Sequence, residues 1–89
     1  LDGPVTVGAL AGILDLSEGV LFRAFKAALG LTPHDYLMDR RLARARLLIR
    51  CGDGDLSTIA AVCGFASHAH MTSQFRRRLG TTPSVLRHT

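Results

Sequence analysis

The sequence predicts an all-α fold, and three observations carry that expectation. No segment alternates apolar and polar residues with the period of two that a half-buried strand needs. Helix-starting residues (Thr6, Ser17, Thr32, Asp55, Ser67 and Thr82) each stand at the head of a run that reads as helical. The chain also says the same thing twice: Thr6 to Pro33 and Asp55 to Pro83 share landmarks in the same order. Ala11 answers to Ala60, Ser17 to Ser67, Phe25 to Phe75, Gly30 to Gly80 and Thr32-Pro33 to Thr82-Pro83, with one extra residue between Ala60 and Ser67. Two copies are too few for a solenoid. The repeat reads as one small helical module used in duplicate.

Each element follows from local chemistry. Leu1 to Val5 contains Gly3-Pro4 and reads as an entry loop. Thr6 caps a short helix from Val7 to about Leu14, with Val7, Leu10, Ala11 and Leu14 on one face. Asp15-Leu16 is a tight link. Ser17 caps a second helix, Glu18 suits its first turn, and Gly30 ends it after Leu29. Leu21, Phe25 and Ala28 form its apolar stripe, with Ala24 beside it. Thr32 caps the longest helix, Pro33 to about Cys51, where Pro33 takes the first turn. Asp35 and Asp39 near its start and Arg46 and Arg50 near its end match the macrodipole. Met38, Leu42, Ala45 and Ile49 make one buried stripe, widened by Leu37 and Leu48.

Gly52-Asp53-Gly54 breaks the chain. Asp55 then caps a short helix to about Cys63, Gly64 closes it and Phe65-Ala66 forms the turn. Ser67 caps a helix to about Leu79 that ends at Gly80, with Met71 and Phe75 as its stripe. Thr82 and Pro83 open a terminal helix over residues 83–88. The organisation is one domain over residues 1–89: a first helix-turn-helix at 6–30, a linking helix at 33–51, a second at 55–80 and the terminal helix. The first residue is Leu1 rather than Met, so a piece of a longer protein is expected.

Composition bounds the function. Eighty-nine residues make one domain at most, with little core to spare. An apolar content of 47% excludes intrinsic disorder. The formal charge is +4, and ten of the eleven cationic residues are Arg, which suits bidentate contact with phosphate or guanine. Solvated helix faces are the ordinary alternative. Cys51 and Cys63 lie in apolar helical contexts without a Cys-x-x-Cys, so reduced thiols are expected. No stretch is apolar for long enough to span a membrane, and no signal peptide is recognisable.

A short helix, a tight turn and a second helix with a small or polar outward face is the helix-turn-helix plan, whose second helix can enter a DNA major groove. At about 100° per residue, Gly19, Phe22, Arg23 and Lys26 stand opposite the apolar stripe of the first such helix. Ala69, Thr72, Ser73 and Arg76 occupy the equivalent positions in the second.

Residue patterns narrow this further. The stretch IAAVCGFASHAHMTSQFRRRLGTTPSVLR contains I-A-x-x-x-G-F, then F-R-R, then a Gly and Pro83. The first copy places Ser17, Leu21, Phe25, Lys26, Gly30, Pro33 and Tyr36 in the same frame, and the link carries Arg41, Leu42, Ala45 and Leu48. From Thr6 to Arg87 the chain resembles the C-terminal DNA-binding domain of AraC/XylS-type transcriptional regulators. That resemblance implies two homeodomain-like, three-helix units held by the central helix, with one monomer taking two successive major grooves. A helix from Pro33 to Cys51 is about 28 Å long and one turn of duplex roughly 34 Å. Bending the DNA absorbs the difference at a cost of a few kcal/mol, that is about 1–6.

The base-facing candidates are Gly19, Phe22, Arg23, His68, Ala69, Thr72 and Ser73. Arg23 reads a base or holds a phosphate; the resemblance puts it at a position that is frequently a contact. Phe22 either packs on a thymine methyl or belongs to the core. Gly19 costs helix stability, which close backbone approach to DNA explains. The family often carries Arg where Ser73 stands, which implies a differently tuned second half-site, and many relatives carry Tyr where Leu86 stands. Ser17, Lys26, Ser67, Arg76, Arg77 and Arg78 are the phosphate candidates. His68 and His70 point about 200° apart on a helix, so they do not share a metal.

The expected partner is double-stranded DNA, at a site with two unlike halves. No cofactor, metal or catalytic activity is expected, and the isolated domain is expected to be monomeric. The resemblance places it in the bacterial cytoplasm, at the nucleoid. An effector would act through a domain outside this chain. Rival readings are a helical protein-interaction module, for instance one contacting RNA polymerase, and the DNA-binding segment of an alkylation-repair fusion.

Overall fold

A computed structural model of the chain describes residues 5–52 and 54–88. The expectations for Gly3-Pro4 and Asp53 fall outside them. The described residues form six helices and no strand: α1 (Val7–Ile13), α2 (Glu18–Leu29), α3 (Pro33–Arg50), α4 (Leu56–Val62), α5 (His68–Leu79) and α6 (Pro83–Arg87).

The caps explain why these segments are helical and where they begin. The side chains of Thr6, Ser17, Thr32, Asp55, Ser67 and Thr82 each accept the N–H three residues on, at 2.7–3.2 Å. Each satisfies one of the donors that a helix start leaves unpaired. Gly30 and Gly80, at φ 71° and 70°, end α2 and α5 in the left-handed conformation that only glycine adopts without steric cost. Four ends are one residue shorter than expected; α1 stops at Ile13 and α4 at Val62, with Leu14 and Cys63 as their C-caps. Helix α3 stops at Arg50, which leaves Cys51 exposed in a turn rather than within a helix, and His88 caps α6 from outside it.

The chain forms two compact units, which meet in sequence within α3: Val5–Arg40, and Arg41 onward. The first buries Ala11, Leu21, Pro33 and Met38, while Phe25 and Tyr36 meet edge to face at 5.3 Å. The second has the larger core: Leu42, Ala45, Ile49, Ile59, Ala60, Cys63, Phe65, Met71, Phe75 and Pro83. Each large apolar side chain so enclosed is worth roughly 1.5–3 kcal/mol. Three expected apolar positions lie outside, among them Ala24, which is exposed beside the stripe of α2. Ala28 is exposed because the last turn of α2, residues 27–30, runs clear of the core. Leu14 is the C-cap of α1 and is 49% exposed.

The turns between α1 and α2 and between α4 and α5 begin with the same hydrogen bonds. Asp15 and Leu16 donate to Gly12 and Ala11, and Gly64 and Phe65 donate to Ala61 and Ala60, at matching distances of 3.2 and 2.9 Å. Asp15 (φ 55°) therefore does the work of Gly64 (φ 91°). Aspartate is among the few residues that tolerate this left-handed region. Burial differs sharply at the same positions: Leu14 and Leu16 are 49% and 39% exposed, Cys63 and Phe65 2% and 5%. In the second unit α3 passes close enough for the Arg44 guanidinium to act on Cys63.

The register also locates the extra residue of the second copy. Phe65 matches Leu16 and Ser67 matches Ser17, so Ala66 is the insertion.

Candidate nucleic-acid interface

Helices α2 and α5 are both 12 residues long and begin one residue after a capping serine. Their outward faces are therefore built from the same positions. On α5, His68, Ala69, Thr72, Ser73, Arg76 and Arg77 line an open concavity of about 670 Å³. All but the half-buried Thr72 are exposed. His68 and the small Ala69, Thr72 and Ser73 form its first two turns and two guanidiniums its third.

Phe75 and Met71, each fully buried, anchor the opposite side. Arg78 does not join the other arginines. It is half-buried and its Nε donates to Oε1 of Gln74 at 3.0 Å. At about 100° per residue it falls near the core-facing side of α5.

On α2 the corresponding positions are Glu18, Gly19, Phe22, Arg23, Lys26 and Ala27, and every one is exposed. Phe22 is 47% exposed, so it is not a core residue. With Val7, Glu18, Gly19, Thr32, Pro33 and His34 it lines a mostly apolar cleft of about 520 Å³. The Arg23 side chain folds back toward the start of the helix: Nη1 lies 3.8 Å from where a Cβ on Gly19 would be. Lys26 places an ammonium on the same face.

Both capping serines are engaged. Ser17 Oγ accepts from the Val20 N–H at 3.2 Å, and Ser67 Oγ from the His70 N–H at 3.0 Å. Each hydroxyl keeps its own proton, a donor suited to a phosphate oxygen.

His70 has a role that spacing does not reveal. Its Nδ1 accepts the Ala66 N–H at 3.2 Å and its ring meets Phe65 edge to face at 5.7 Å. It holds the turn that sets α5, and this geometry requires the ring proton on Nε2. Arg87 is structural as well: Nη1 donates to the Gly54 carbonyl at 2.7 Å, while Nε and Nη2 are enclosed without a hydrogen-bond partner among the described residues. Its positive charge acts on Asp55, the cap of α4. No signal in the sequence separates Arg87 from the surface arginines, because its partner is a backbone carbonyl 33 positions away. Among the described residues no group of His, Cys, Asp and Glu is placed to hold a metal ion. No described helix is long and apolar enough to cross a membrane.

Comparison with known proteins agrees with this architecture. The helix-turn-helix domain family matches residues 10–89. The transcriptional activator RhaS of Pectobacterium carotovorum is 38% identical over 84 residues, which are 94% of this chain and 30% of that protein. Among solved structures, an AraC-type DNA-binding-domain regulator from Chromobacterium violaceum superposes with a TM-score of 0.85 at 33% identity, over 96% of this chain and 76% of that one. The DNA-binding domain of AdpA, solved in complex with a target DNA, gives 0.88 at 29% identity, over 97% and 78%. The chain spans about a third of the length of the curated relatives it matches. It belongs to the AraC-type helix-turn-helix family, the DNA-binding domains of transcriptional regulators.

Proposed function

We propose that this domain binds double-stranded DNA at specific sequences, with the outward faces of α2 and α5 each taking a major groove. The observation that carries the reading is the α5 face. Ala69, Thr72 and Ser73 leave room for base edges beside His68 in the first two turns, and Arg76 and Arg77 follow in the third. Gly19, Phe22, Arg23, His68, Ala69, Thr72 and Ser73 meet bases in this reading. Ser17, Lys26, Ser67, Arg76 and Arg77 meet phosphates in this reading, and so does Arg78, whose Nε is engaged by Gln74. AdpA, a structural relative, has been solved with its target DNA, which supports the same use of this fold.

The parent protein in this reading is a cytoplasmic transcriptional regulator whose effector acts through a domain beyond these residues. The domain binds as a monomer and catalyses nothing. Contact with RNA polymerase belongs to the same proposal, supported by the likeness to the activator RhaS. The test is selection of binding sites from random duplex DNA. Two unlike sequence blocks about one helical turn, roughly 34 Å, apart are expected. A single block would assign all base reading to one helix, and no enrichment would overturn specific binding.

A further inference from the structure

The cleft beside Phe22 lies where α5 carries Thr72, and its chemistry is unlike that of a phosphate site. Its walls are mainly apolar, from Val7, Gly19, Phe22 and Pro33, and Glu18 on its rim repels phosphate. A ring left 47% exposed forfeits burial that a ligand can restore.

Gly19 makes the cleft continuous with the guanidinium of Arg23. With no side chain of its own it borders the ring, and Arg23 Nη1 lies 3.8 Å from the place a Cβ would occupy. One glycine thus separates an aromatic surface from a bidentate donor. In the major groove, guanine presents O6 and N7 to such a donor, and the apolar group a neighbouring pyrimidine can present is a methyl on C5.

We propose that the Phe22 cleft reads the C5 methyl of a pyrimidine adjacent to the guanine bound by Arg23. This rests on the DNA-binding reading above and names the group that its first helix recognises. The methyl comes from thymine or from 5-methylcytosine, and unmethylated cytosine and uracil lack it. Affinity then follows the methyl as well as the hydrogen-bonding pattern of the base.

The experiment uses the 89-residue chain and a duplex recovered by selection from random sequence. Each thymine in the block bound by the first unit is replaced singly by deoxyuridine, and each cytosine by 5-methylcytosine. Binding is followed by fluorescence anisotropy. One position beside a guanine should lose about fourfold in affinity on losing the methyl, the equivalent of one buried methyl-sized group. If cytosine is tolerated there, methylating it should raise affinity by a similar factor, and the tighter of thymine and 5-methylcytosine identifies the preferred source. Phe22→Ala, an exposed position whose folding is checked by circular dichroism, should bind methylated and unmethylated duplexes alike. Site-specific binding that ignores the methyl at every position overturns this inference and leaves the DNA-binding reading standing. A full methyl response in Phe22→Ala removes the assignment to Phe22. Loss of all sequence preference in the unaltered chain overturns both readings.

Discussion

His70 takes the backbone N–H of Ala66 on its Nδ1 at 3.2 Å, and this bond accommodates the one residue by which the second turn exceeds the first. Ala66 adds a peptide N–H that the shorter turn does not contain. In the first copy Val20 stands where His70 stands in the second, and no such acceptor is required there.

Replacing His70 by Val should therefore destabilise the domain, although the first copy carries Val at that position. The loss should be about 0.5–1.5 kcal/mol, the net worth of one hydrogen bond, with the contact between His70 and Phe65 lost in addition. Urea denaturation measures it. Stability equal to that of the unaltered chain would show that the turn satisfies Ala66 in another way.

Gly12 and Gly19 separate two reasons for glycine in a helix. A Cβ on Gly12 meets nothing within 4 Å, so Gly12→Ala should stabilise by about 0.5–1 kcal/mol. A Cβ on Gly19 makes only an ordinary contact with Arg23, so Gly19→Ala should stabilise the uncomplexed domain similarly. It should nonetheless weaken DNA binding if, as proposed, α2 approaches the groove at this position. Thermal melts and a binding titration on the same proteins decide this. Unchanged affinity in Gly19→Ala would remove close approach as the reason for the glycine.

Arg23 and Arg76 should fail differently. Arg23→Ala should cost about 1–3 kcal/mol on the preferred site and relax one base position. Arg76→Ala should weaken binding to all sequences alike and reduce the slope of log K against log salt by about 0.9. Titrations on selected and random duplexes at several salt concentrations measure both. An Arg23→Ala loss equal on random DNA would make Arg23 a phosphate contact.

Asp55 links folding to acid. The Thr58 backbone N–H, at 2.7 Å, holds its carboxyl below the usual value of 3.8, helped by the Thr58 hydroxyl and by the charge of Arg87. The group is more acidic folded than unfolded. The ionised cap therefore favours folding above pH 3.8, and that contribution is lost as pH falls through the lower, folded value. Asp55→Asn keeps a capping oxygen without the titrating charge. Its stability should fall less steeply in acid than that of the unaltered chain, as read by denaturant midpoints across pH. Parallel acid profiles would place the linkage on another carboxylate.

The helices were legible in the sequence because their causes are local. A side-chain oxygen at Thr6, Ser17, Asp55 or Ser67 and a left-handed glycine at 30 or 80 act over three or four residues. The outward set on each recognition helix follows from the rotation per residue once the cap is placed, so Gly19, Phe22 and Arg23 answer to Ala69, Thr72 and Ser73 by counting alone. The duplication, the all-α class and the expected DNA partner come from those local signals and the family resemblance.

Tertiary structure decided what covers each surface. Sequence periodicity left Phe22 between core and groove; the fold leaves it in an open cleft. Leu14 and Leu16 carry the same apolar character as Cys63 and Phe65 but stay exposed, whereas Cys63 and Phe65 are buried in the core of the second unit. Arg87 reads like a surface cation, and the fold ties it to the Gly54 carbonyl 33 positions away. Capping is set by neighbours in sequence. Burial, and with it the division between scaffold and outward-facing residues, is set by neighbours in space that lie tens of positions away, as Gly54 does from Arg87.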